Sequence, residues 1–529
     1  MTTSPIQPEG MEPELEEMLL DTEFDWTTLE NSEAATSLIP ESLARKYIAF
    51  PARVHEGKLL VVMANPKDYR ALQSLEMRAR MEVIPVPSPA DDIINAIDLH
   101  YSSSMPDSIS SAVDRRYVAS AGDHAEVREI PLVAVDESDD ENETSPVIQA
   151  IDSLISQAVK ARSTDIHIEP MEDRVRVRFR IDGFLQEVAR LPLAAHGALI
   201  SRLKIMAGMD IAERRRPQDG HFAVKVGESS IEVRSATSDT VHGEMAVLRI
   251  LNKSLKLFSL DDLGMMSHST NAMRRLLAAP YGILLVSGPT GAGKTTTLYA
   301  ALNEMDSART NIITIEDPVE YRFPGVNSIQ INDKAGLTFP ASLRAVLRMD
   351  PDTVLVGEIR DAETARIAVQ AALTGHLVMS SVHANDAVRA VSRMVDLGVE
   401  PFLLSSALLG VVSQRMVRRV CDHCVTDKVA EGDEATATIE MGFDPAQPMK
   451  AGEGCYFCSF TGYRGRTGLY EILTATEDFR QQILIETDNS KLLETVRKNG
   501  FRSMKDDGVE KVQKGITTPS EVMRSVYSL

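Results

Sequence analysis

Gly288-Pro289-Thr290-Gly291-Ala292-Gly293-Lys294-Thr295-Thr296 is the stretch that decides the fold. It carries the GxxxxGK[ST] pattern, whose closely spaced glycines let the backbone curl until several N–H groups point at one anion. The pattern is meaningful between a strand and a helix, and the flanks supply both. The apolar run YGILLVS (281–287) reads as a buried strand. TTTLYAALNEM (295–305) reads as a helix, whose N-terminus adds the positive end of its dipole. Lys294 is placed to reach the β- and γ-phosphates of a nucleoside triphosphate, and the Thr295 hydroxyl to bind Mg²⁺.

Acidic groups follow at strand ends. In NIITIEDPVEY (311–321), the apolar run 312–315 is a strand, and Glu316, Asp317 and Glu320 sit at its carboxyl end. A phosphate-loop sheet places Mg²⁺ ligands and a water-activating base there. In DPDTVLVGEIRD (350–361) the strand closes on Gly357-Glu358, which makes Glu358 a candidate for the metal and water site. In TGHLVMSSVHAND (374–386), His376 and His383 bracket a short strand, as γ-phosphate sensors or as structural histidines.

All four cysteines fall within 421–458, as two CxxC pairs, Cys421/Cys424 and Cys455/Cys458. Clustering of this kind in a cytosolic chain points to metal rather than disulfides. Four thiolates satisfy tetrahedral Zn²⁺ and leave no open position, so the expected role is structural. The 30 residues between the pairs exceed the usual spacing, so the metal would staple a longer excursion, 418–465. His423 is a further conceivable ligand.

The 529 residues suit about three domains, and the hydrophobic content of 43% is that of a globular protein. The net charge of −21 is uneven: residues 1–150 hold 29 acidic against 11 basic side chains. That front end argues against a nucleic-acid surface there. The polar, acidic N-terminus does not read as a secretion signal, no apolar run is long enough to span a bilayer, and the cytoplasm is the expected compartment. Residues 1–35 form an acidic tail in which MEPELEEMLLDTEFDWTTLE (11–30) suits a weak amphipathic helix, read either as a partly ordered tail or as a docking segment. Residues 36–102 alternate helix and strand as a small α/β domain, and 103–145 are a Ser-rich, acidic linker. Ser145-Pro146 then opens a helix. RVRVRFRI (174–181) alternates strictly between Arg174, Arg176, Arg178, Arg180 and an apolar face. With strands at FAVKV, IEVRSA and AVLRIL, residues 146–254 read as mixed α+β, and 255–529 as the nucleotide domain.

In this order the motifs resemble the secretion ATPases that power type II secretion and type IV pilus assembly. The resemblance spans 36–529 and rests on GPTGAGKTTTLYAAL (288–302), ITIEDPVEY (313–321), LRAVLRMDPDTVLVGEIRDAETA (343–365), ALTGHLVMSSVHAND (372–386), and the CxxC pairs with GYRGRTGLYEIL (462–473). It implies a RecA-like α/β motor, a preceding α+β (PAS-like) domain and a small N-terminal α/β domain. It makes 288–295 the Walker A loop, 316–320 an acidic box with Glu320 as base, Glu358 the Walker B carboxylate, and His376 and His383 a histidine box. It assigns Arg234 and Arg249 of the second domain, and Arg344, Arg348 and Arg360, to the nucleotide, where guanidinium groups would neutralise phosphate charge.

The resemblance further implies ATP, Mg²⁺ and Zn²⁺ and a homo-hexamer at the inner face of the cytoplasmic membrane. Its implied partners are an inner-membrane platform protein and the cytoplasmic domain of a membrane-associated component. The paired CxxC favours an assembly or secretion motor over a retraction motor, and the wording around it leans to type II secretion. Pilus extension is the alternative. A DNA-uptake or conjugation motor and a non-hydrolysing ATP-binding ring stand behind both, and direct nucleic-acid contact is not expected. The front domain carries the resemblance from SLIPESLARKYIAFPARV (37–54) onward, without the repeated RLG pattern of cyclic-dinucleotide binding, so that ligand is not expected.

Overall fold

The computed structural model describes residues 24, 26, 29 and 33–526 apart from 56, 104–145, 227–228 and 253–257. The expected tail helix falls almost wholly outside the described residues, and the linker all but its first residue. The chain divides into two compact units, 1–254 with 453–462, and 255–452 with 463–529. The expected metal excursion is thereby divided, because 453–462 groups with the first unit.

In the first unit, β1 (Ala49–His55), β2 (Lys58–Met63) and β3 (Val83–Pro87) form a small sheet in that order. The apolar run of β2 makes it the central strand, antiparallel to β1 and parallel to β3. The helix Tyr69–Ala79 starts where the Asp68 carboxylate accepts the N–H groups of Arg70 and Ala71, capping its open end. Trp26 is buried; its indole N–H donates to Ser88 Oγ (2.9 Å), and its ring lies edge-on to Phe457 with centroids 5.1 Å apart.

Residues 146–252 form a six-stranded antiparallel sheet, ordered β6 (Phe184–Pro192), β5 (Arg174–Ile181), β4 (Asp165–Pro170), β9 (Gly243–Asn252), β8 (Ser229–Thr240), β7 (Gln218–Val226). The alternation in β5 sends Val175, Val177 and Phe179 into a core shared with the helices Pro146–Lys160 and His196–Ala207. The arginines take the other face, where Arg176 and Arg178 bind Glu169 and Arg180 faces Asp165 at 3.6 Å.

The second unit is built on a seven-stranded sheet: β12 (Val326–Gln330), β11 (Ile312–Glu316), β13 (Thr353–Val356), β14 (Leu377–Val382), β10 (Gly282–Ser287), β15 (Leu408–Val420), β18 (Tyr463–Thr474). All neighbours are parallel except the edge pair β15–β18. Ile283 and Leu285 enter one core, Leu284 and Val286 the other. Helices cover both faces, which is why β10, β11, β13 and β14 are unbroken runs of buried residues. This is the expected α/β motor architecture. The smaller hairpin of β16 (Val425–Lys428) and β17 (Met449–Gly452) lies within the metal excursion. Among the described residues, no helix is long and apolar enough to cross a membrane.

Candidate functional site

Parallel pairing of β10, β11, β13 and β14 puts the loops after them on one edge of the sheet, so four of the expected motifs meet there. The phosphate loop leaves β10 through Gly288 at φ 151°. A Cβ at Gly288 would lie 2.5 Å from the Gln414 carbonyl oxygen and 2.9 Å from the Ala292 Cβ, so the close approach requires glycine. The helix Lys294–Asn303 begins at Gly293 with no side-chain cap, leaving its first N–H groups to an anion. Lys294 Nζ donates to the carbonyls of Gly288 (2.8 Å) and Pro289 (3.1 Å). Burial pushes its pKa down, and the Glu358 carboxylate opposes that shift. Open N–H groups, positive-φ glycines and a nearby ammonium fit a nucleoside triphosphate. Sequence reasoning missed Gln414, fully buried on β15, whose Nε2 donates to the Ala292 carbonyl (2.6 Å) and steadies the loop.

At the end of β13, Glu358 pairs with Arg360, and its Oε2 lies 3.6 Å from His383 Nε2. Hydrogen bonding to Glu358 raises the Arg360 pKa, and the charges of Glu358 and Asp317 add to it. Glu358, Arg360, His383, Asp317 and Lys294 are thus within one electrostatic cluster.

Several expected residues stand elsewhere. His376 and His383 lie at opposite ends of β14, about 20 Å apart for a six-residue strand. His376 Nδ1 is 3.0 Å from the Ala371 carbonyl, and its own carbonyl accepts the Gly282 N–H where β10 begins. The two histidines therefore do not share one γ-phosphate within a chain. Glu316, expected to face the nucleotide, is turned inward at 4% exposure. Its carboxylate accepts from the Tyr299 hydroxyl and from Thr314 Oγ1 (2.7 Å), and burial pushes its pKa up. Glu320 is half-buried, and its N–H donates to the Tyr299 hydroxyl (3.2 Å). Arg344 pairs with Glu363, and Arg348 donates to the Arg344 carbonyl (2.8 Å). Asn311, just before β11, holds the carbonyls of Met349 and Asp350, the two residues after Arg348. In the first unit, Arg234 and Arg249 are register partners on β8 and β9, and Arg249 reaches Asp165 at 3.3 Å.

The thiols of Cys421, Cys424, Cys455 and Cys458 are buried and lie within 4.8 Å of one another. Four sulfurs at about 2.3 Å from a Zn²⁺ stand about 3.8 Å apart. The sulfurs of Cys455 and Cys458 are 3.8 Å apart, and Cys458 Sγ accepts the N–H groups of Cys455 (3.1 Å) and Gly462 (3.2 Å). The donor set fits zinc. His423 Nε2 instead meets Arg464 Nη1 at 2.8 Å.

Comparison with known proteins agrees with this architecture. The family model described as type II/IV secretion system protein matches residues 140–524, and a MshEN domain model matches 21–107. The latter takes in Trp26, ahead of the segment where the sequence motifs begin. The type II secretion system protein HxcR of Pseudomonas aeruginosa is 47% identical over 385 residues, 73% of this chain and 78% of that protein. The type IV pilus assembly ATPase PilB of Thermus thermophilus is 38% identical over 498 residues, 92% of this chain and 54% of that protein. The solved structure of the Legionella pneumophila ATPase DotB shares the fold, with a TM-score of 0.53 at 19% identity, over 74% of this chain and 98% of its own. The chain belongs to the type II/IV secretion system protein family.

Proposed function

We propose that this chain is the ATP-hydrolysing motor of type II protein secretion. The observation that carries the reading is the single cluster of Lys294, Glu358, Arg360 and His383 beside the phosphate loop, in a chain 47% identical to a type II secretion protein. The loop amides from 288 to 296 and Lys294 hold the phosphates. Glu320 takes a proton from the attacking water, and Glu358 orients that water with His383 beside it. Arg360 faces the charge that builds on the transferred phosphoryl group. Mg²⁺ held at Thr295 would neutralise the β- and γ-phosphate oxygens. Zn²⁺ at the four cysteines would brace the excursion.

By the same reading the motor works as a homo-hexamer on the cytoplasmic face of the inner membrane, driving a platform protein through a membrane-associated partner. Arg234 and Arg249 of the first unit, with Arg344, Arg348 and His376, are assigned to nucleotide closure against a neighbouring domain or copy. One observation favours pilus assembly as the second reading: the PilB match runs over 92% of this chain, front end included.

The test is chromosomal replacement with Lys294→Ala. Loss of secreted proteins with surface fibres intact supports the secretion motor. Loss of fibres with secretion intact supports the pilus motor. Wild-type ATP turnover by the purified variant would refute the site itself.

A further inference from the structure

Tyr299 has no part in the hydrolytic roles assigned so far, yet it sits at their junction. It lies on the phosphate-loop helix, is buried at 6% exposure, and turns its hydroxyl toward the 316–320 turn. The hydroxyl donates to Glu316 Oε2 and accepts the Glu320 N–H at 3.2 Å. Thr314 Oγ1 satisfies the other Glu316 oxygen at 2.7 Å. The Tyr321 and Phe323 rings stand edge-on to the Tyr299 ring, with centroids 5.6 Å and 5.1 Å away, so the ring that carries the hydroxyl is fixed. One oxygen atom therefore ties the helix that grips phosphate to the turn that bears the acidic residues.

We propose that Tyr299 is a positioning residue for ATP hydrolysis, setting Glu320 relative to the phosphate loop through this double hydrogen bond. The proposal rests on the reading of Glu320 as the base. A hydroxyl lost here strands a buried carboxylate oxygen and frees the Glu320 N–H, so the turn settles elsewhere while the phosphate loop is untouched. Displacement of a catalytic group by about 1 Å costs on the order of 100-fold in rate.

The experiment is steady-state ATP turnover by the full chain carrying Tyr299→Phe, Glu320→Gln, and both. Tyr299→Phe is expected to lower kcat about 10- to 100-fold with KM for ATP within about twofold of the parent. In the Glu320→Gln background the same change is expected to have no further effect, because the group it positions is already gone. Thr314→Val, which removes the other hydrogen bond to Glu316 but leaves the Tyr299 hydroxyl on the Glu320 N–H, is expected to retain kcat and so separates positioning from the loss of a buried hydrogen bond. Wild-type kcat in Tyr299→Phe with Glu320→Gln inactive overturns this proposal alone, as do losses that multiply in the double variant. A normal rate in Glu320→Gln overturns the base assignment and this proposal with it.

Discussion

Lys511→Met measures how firmly the edge of the motor sheet is anchored. Lys511 and Asp507 are one helical turn apart on the helix Met504–Gln513 and face β18 with side chains 0% and 1% exposed. Lys511 Nζ donates to Asp507 Oδ2 at 2.7 Å and to the Gly468 carbonyl, and Asp507 Oδ2 also accepts the Tyr470 N–H at 3.0 Å. Methionine keeps most of the stem and removes the charge. It leaves Asp507 buried with one backbone donor and strips the Gly468 carbonyl of its cation. Breaking a buried pair from one side costs about 3–5 kcal/mol. At about 2–4 °C per kcal/mol for a unit of this size, Tm should fall by about 10 °C. The assay is thermal unfolding of the full chain followed by circular dichroism. Adding Asp507→Asn to Lys511→Met should recover part of the loss, since the amide oxygen still accepts from Tyr470 and no charge is stranded. β18 places Gly468 and Tyr470 opposite Met416 and Gln414 of β15, and Gln414 holds the phosphate loop. KM for ATP should therefore rise in Lys511→Met below its unfolding temperature. A Tm within about 2 °C of the parent would refute the argument that this pair is an uncompensated charge when halved.

The phosphate loop and the cysteine cluster give two further expectations. Gly288→Ala puts a Cβ 2.5 Å from the Gln414 carbonyl oxygen at a φ of 151°, and the two strains together cost about 3 kcal/mol or more. ATP affinity measured by calorimetry should drop at least about tenfold, and parental affinity with parental Tm would refute the steric reading. Metal analysis should find zinc bound to the chain. Chelation should lower Tm and shift the emission of Trp26, the only tryptophan, because the Phe457 ring between Cys455 and Cys458 lies 5.1 Å from it. Metal-free protein with unchanged emission after chelation would refute the zinc assignment.

What the sequence discloses and what it hides follow from how far apart the interacting residues lie. The phosphate loop is nine consecutive residues whose backbone alone builds the anion cradle, so spacing suffices. β10, β11, β13 and β14 are covered on both faces and read as apolar runs. β15 and β18 are buried over only part of their length and carry Gln414, Arg415, Arg418 and Glu471, which break the apolar pattern. Several of these groups find partners distant in sequence: Arg418 pairs with Glu521, and Glu471 accepts the N–H groups of Ala387 and Met504. Periodicity has no access to such partners.

The same holds for His376, Tyr299 and Gln414. His376 and His383 are seven apart, and in a strand that interval is length, so one edge of the sheet receives only one of them. Had the intervening residues been helical, the two would share a face. Tyr299 reads as one more apolar position of an amphipathic helix, and its hydroxyl acquires meaning only from Glu316 and Glu320, which the fold brings back beside it. Gln414 reaches the phosphate loop across 122 residues. Each chemistry-bearing group of this motor lies in a short motif legible by itself, whereas the groups that hold those motifs in place carry no motif of their own. Substitutions at the second kind, Tyr299 and Gln414 foremost, should therefore separate the fold from its turnover more cleanly than any change to the loop itself.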